Sequence, residues 1–108
     1  MINIKESLAG GRNPTDGMVL TEAFSIKIDK ATLKTGFARF EAGIRQPPEG
    51  LVSRDEVEIS LILSGETELY TESGVRLLKE GDLIMIPPGE ANAAKALTKL
   101  DVYYILCG

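Results

Sequence analysis

The chain has 108 residues, 44% of them hydrophobic and 26% charged, a balance that fits one globular domain and excludes a disordered chain. The net charge of −4 is uneven: residues 1–54 hold eight basic and six acidic groups, residues 55–108 four and ten. An acidic second half argues against a nucleic-acid partner, which requires clustered Lys and Arg, and no apolar run reaches the roughly 20 residues that span a bilayer. In chain order, Met1-Ile2-Asn3-Ile4-Lys5-Glu6 lacks the apolar stretch and cleavage site of a secretory signal. Residues 1–16 are the least committed to structure and are expected to form an arm or edge strand. Phe24, Ile26 and Ile28 then alternate with Ser25 and Lys27, predicting a strand over 23–29. Ala38 and Phe40 alternate with Arg39 and Glu41, predicting another over 36–43. Residues 30–35 tempt a short helix, as do 90–97, but flanking glycines and prolines keep either brief. The turn-rich Pro47-Pro48-Glu49-Gly50 precedes Ile59 to Leu63, nearly all apolar, as in a strand covered on both faces.

Further strands are expected at 57–63, 66–71, 75–79, 83–86, 92–96 and 101–106, separated by Gly65, Ser73-Gly74, Gly81-Asp82 and Pro87-Pro88-Gly89. On the last, Val102, Tyr104 and Leu106 face opposite to Tyr103 and Ile105. Many short strands at regular spacing predict an all-β sandwich or barrel.

Two stretches narrow this to one barrel type. The first runs Leu51-Val52-Ser53-Arg54-Asp55-Glu56-Val57-Glu58 into Ile59-Ser60-Leu61-Ile62-Leu63-Ser64-Gly65-Glu66. The second is Gly81-Asp82-Leu83-Ile84-Met85-Ile86-Pro87-Pro88-Gly89-Glu90-Ala91-Asn92. Together they resemble the two motifs of the cupin superfamily, and the chain is similar to its histidine-less, ethanolamine-utilisation type. The resemblance covers residues 36–106 and implies a single domain over 1–108, folded as a small jelly-roll barrel (a double-stranded β-helix). Cupins of the common type bind a metal through paired histidines, a glutamate and a later histidine. Here Glu58 stands at the glutamate position, Asn92 at the later histidine, and Arg54 in the stretch that would carry the paired histidines.

The chain contains no histidine and one cysteine, Cys107. Without imidazole, a bound transition metal is not expected, and no other cofactor is implied. Ser-His-Asp and Cys-His catalysis are excluded because the base is missing. A general base must come from Glu, Asp, Lys, Tyr or Cys. Glu58 is the best candidate: it shares a strand face with Ser60 and Ile62, and an interior carboxylate is partly desolvated. The competing reading holds Glu58 as a structural partner of Arg54. Arg39, Arg45 and Arg54 lie near the expected barrel mouth, and guanidinium suits a carboxylate or phosphate. Arg54, Glu58, Asn92 and Arg39 are therefore the candidate ligand-binding residues. The acidic run Asp55, Glu56, Glu66, Glu68 reads as a solvated face. Cys107 reads as a passive thiol, and a single cysteine suits a reducing, cytoplasmic setting.

Three functions remain open: a metal-independent barrel binding a small polar or anionic molecule; a metal-free isomerase or lyase acting on a small sugar, acid or amine, with Glu58 as base; and an interaction module with a vestigial pocket. A homodimer is expected, with residues 1–8 adding a strand to a neighbour's sheet.

Overall fold

A computed structural model describes residues 16–108. The expected arm, apart from its last residue, lies outside the described residues. Nine antiparallel strands follow: β1 (Met18–Ile28), β2 (Ala31–Phe40), β3 (Arg45–Gln46), β4 (Val57–Ser64), β5 (Glu66–Thr71), β6 (Gly74–Lys79), β7 (Leu83–Ile86), β8 (Asn92–Ala96) and β9 (Leu100–Cys107). They form two sheets facing one another, one in the order β1-β2-β9-β4-β7 and one in the order β3-β8-β5-β6. The architecture is all-β, as the period-two pattern predicted, and takes the jelly-roll form that the cupin resemblance implied. No helix among the described residues is long and apolar enough to cross a membrane.

The strands from Val57 onward fall within a residue or two of their expected positions, because glycine turns delimit them. The first two do not. β1 starts at Met18, and β2 begins at Ala31, inside the stretch that tempted a helix. The reason is a tight turn at Asp29-Lys30, where Ile28 pairs with Ala31 and Asp29 takes φ 55°, a conformation Asp tolerates. Residues 90–97 likewise hold the strand β8 rather than a helix. β3 is too short to leave a pattern in sequence.

The core lies between the sheets. Met18, Ala38, Phe40, Ile62, Leu100 and Val102 from the larger sheet meet Leu78 and Ala96 from the smaller one. Even-numbered residues of β2, of β9 and of β4 as far as Ile62 therefore point inward and odd-numbered ones outward, while a bulge after Ile62 sets Ser64 beside outward Asp101.

Candidate functional site

The register of the larger sheet stacks its inward residues in rows. Phe40 lies beside Leu100; Ala38 beside Val102 and then Ile62; Gly36 beside Tyr104 and then Ser60; Lys34 beside Leu106 and then Glu58. Read along the barrel, the rows pass from wholly apolar to hydroxyl-bearing to charged. They line a cavity of about 630 Å³. Its floor is the apolar core, and its charged end is formed by Glu22, Lys34, Arg54, Glu56, Glu58 and Asn92.

Backbone hydrogen bonds clamp the two motif loops together at this charged end. Val52 and Asn92 exchange N–H···O bonds of 2.9 Å in both directions, and the Gly89 amide donates to the Arg54 carbonyl at 2.7 Å. The Pro87-Pro88-Gly89 break that ends β7 is thus what brings Asn92 opposite the first-motif loop. Glu58 itself is fixed by β4, whose pairing with β9 and β7 sets its inward direction.

The geometry around Glu58 is specific. Its Oε2 accepts a hydrogen bond from the buried Ser60 hydroxyl at 3.0 Å. Its Oε1 lies 3.8 Å from Arg54 Nε, an ion pair too long to be a hydrogen bond. The Arg54 side chain is 47% exposed and that of Glu58 22%, so the pair is not a desolvated one. Beside it, Lys34 Nζ meets Glu56 Oε2 at 3.2 Å. The Asn92 amide nitrogen donates to the carbonyls of Glu90 (3.0 Å) and Val52 (3.4 Å), not to Glu58. Tyr104 lines the cavity between Gly36 and Ser60. A side chain at Gly36 would collide with the Tyr104 hydroxyl, so glycine there makes room for the inward ring.

Three of the four candidate ligand-binding residues, Arg54, Glu58 and Asn92, therefore converge on one cavity. The fourth does not. Arg39 points outward from β2, 60% exposed, with its Nε donating to Asp101 Oδ1 at 2.8 Å. That hydrogen bond, and then the charge of Asp101, raise the Arg39 pKa above its usual value. The correction has a simple cause: which face an arginine takes depends on strand parity, and Ala38 and Phe40 claim the inward positions. Glu56 corrects the solvated-face reading in the opposite sense. It lines the cavity, as its two-residue spacing from Glu58 could have indicated. Lys34, Glu22, Ser60 and Tyr104 were also absent from the candidate set; Lys34 and Glu22 lay beyond reach because β1 and β2 had been placed too late in the chain.

A metal of the kind cupins hold does not fit these donors. The paired-histidine stretch supplies Arg54, a cation; the Asn92 amide nitrogen is held by backbone carbonyls; and Glu58 faces Arg54 and Ser60. Among the described residues no group of three or more His, Cys, Asp or Glu is arranged around a common point.

No protein-family model and no curated protein matches the chain. Solved structures do. An RmlC-like cupin from Shewanella frigidimarina superposes with a TM-score of 0.77 at 14% identity, over 98% of this chain and 88% of its own. Ectoine synthase from P. lautus gives 0.74 at 14% identity, over 98% and 75%. A putative ethanolamine utilization protein Q from Salmonella typhimurium gives 0.64 at 20% identity, over 85% and 74%. The chain therefore has the cupin fold, including a likeness to its ethanolamine-utilisation type.

Proposed function

We propose that the barrel binds a small amphipathic molecule without a metal ion, its polar end at Glu58, Arg54 and Asn92 and its apolar end on the core floor. The observation that carries this reading is the graded cavity. Its volume of about 630 Å³ is ample for a metabolite, and pockets that bind small molecules are mostly apolar with a few convergent polar groups. A vestigial barrel would have filled the same space with side chains. Between the polar and anionic ligands that the sequence left open, the charges favour the polar one. Among the described residues, Glu22, Glu56 and Glu58 face only Lys34 and Arg54, and each of these cations already has a carboxylate partner. The single cysteine fits a reducing compartment such as the cytoplasm.

Native mass spectrometry of protein purified from the cells that make it tests this. The expected spectrum carries a small-molecule adduct that is lost when Glu58→Gln and Arg54→Ala are combined and kept in Arg39→Ala. A wild-type spectrum of bare protein, or an adduct indifferent to the double substitution, overturns the proposal.

A second reading, metal-free isomerase or lyase chemistry, is favoured by Glu58 and the hydroxyls of Ser60 and Tyr104 lining the same cavity, a base and proton donors facing one space. The similarity to ectoine synthase adds that enzymes use this fold. Turnover of the co-purified ligand, abolished in Glu58→Gln while binding persists, distinguishes it from binding alone.

A further inference from the structure

The polar groups that line the cavity are not evenly matched. Lys34 holds its charge against Glu56 at 3.2 Å, and Arg54 against Glu58 at 3.8 Å. Glu22 lines the same cavity and has no hydrogen-bond or ion-pair partner among the described residues. The charged end therefore carries a negative charge in excess. The groups beside Glu22 are acceptors too. Its row in the larger sheet runs from Glu22 to Gly36, then to Tyr104 and Ser60. The Tyr104 hydroxyl lies over Gly36, the pairing partner of Glu22. The Ser60 hydroxyl gives its proton to Glu58 and keeps its lone pairs. The Asn92 amide nitrogen is held by the carbonyls of Glu90 and Val52, which leaves its Oδ1 for a ligand. Deeper in, the Thr67 hydroxyl donates to the Lys95 carbonyl at 2.9 Å.

We infer that the ligand of this cavity is a protonated amine with an apolar tail, its ammonium group on Glu22 and the tail on the floor; this rests on the reading of the cavity as a small-molecule site. Two arguments select the head group. The first is desolvation. A ligand that enters the mouth takes water away from Glu22, and a carboxylate stripped of water without a counter-charge is costly. The second is the donor count. An ammonium brings three N–H donors and no acceptor, which suits a lining of Glu22, Tyr104, Ser60 and the Asn92 carbonyl oxygen. A neutral alcohol brings a single donor and leaves the Glu22 charge unmet. A carboxylate brings a like charge and no donor. The tail follows from the rows below. From Gly36 to the Phe40 row the strand rises about 13 Å, past Ile62 and Val102, which is longer than a hexyl chain.

Titration of the full chain with hexylammonium, hexanol and hexanoate tests the inference, followed by amide chemical shifts in a proton–nitrogen NMR spectrum at neutral pH and fixed salt. An alkylamine is fully protonated there, like the lysine side chain. Hexylammonium is expected to shift the amides of Ser60 and Val102 and to bind about fivefold more tightly than hexanol, the scale of one exposed ion pair. Hexanoate is expected to bind more weakly than either. Glu22→Gln is expected to remove the preference for hexylammonium and to leave the hexanol affinity unchanged. Because Glu22 is exposed and unpartnered, the variant is expected to keep the wild-type spectrum in the absence of ligand. Hexanol binding as tightly as hexylammonium, hexanoate binding best, or a preference that survives Glu22→Gln overturns the inference and leaves the amphipathic-ligand reading standing. A cavity that takes none of the three probes overturns both.

Discussion

Glu58 has one carboxylate oxygen on Ser60 and the other facing Arg54, and the weight of that arrangement follows from exposure. A buried cation stripped of its partner would destabilise the fold by several kcal/mol. Arg54 is half in water, so removing the Glu58 charge is expected to lower stability by less than about 1 kcal/mol, the range of exposed ion pairs. Urea denaturation of Glu58→Gln checks this; a loss of several kcal/mol would make the pair structural. At this scale the sequence carried the site residues that sit in motifs. Glu58 and Asn92 were legible because a glycine turn and a proline break fix their distance from the strands around them. Arg39 faces outward by the parity that Ala38 and Phe40 set on β2, and Lys34 and Glu22 escaped notice because β1 and β2 begin five residues before their expected starts.

The turns decide the elements, and one of them leaves no freedom. Gly65 joins β4 to β5 at φ 90°, and a Cβ there would run into the Lys99 carbonyl and come within 2.9 Å of Thr98 Oγ1. The Thr98 hydroxyl in turn accepts the Glu66 amide at 3.0 Å, tying this turn to the one before β9. Gly65→Ala combines left-handed strain with a backbone clash and is expected to cost about 3 kcal/mol of stability, read as a lower urea midpoint with an unchanged slope. Glycine turns of this kind made the strands from β4 onward legible in sequence. The Asp29-Lys30 turn lacks glycine, so β2 was placed five residues late and its first residues passed for a helix.

For the whole molecule, the donor inventory predicts that dialysed protein carries far less than one Fe, Ni, Zn or Cu per chain by elemental analysis. Added EDTA is expected to leave the melting temperature unchanged, since a ligand that does not bind the folded state cannot stabilise it. The barrel architecture was legible from strand spacing and the two motifs, but the sheet order was not. Nothing local in the chain announces that β9 inserts between β2 and β4. That insertion has a consequence for how the protein is made. Until β9 leaves the ribosome, the β1-β2 hairpin and the β4-β7 pair have no common neighbour, and the inner rows of the larger sheet stand open to water. The nascent chain therefore cannot fold strand by strand; it closes late, through pairings between distant segments, on the slow timescale of such topologies. A ribosome-stalled chain ending before Leu100 would hold neither the cavity nor a continuous outer face.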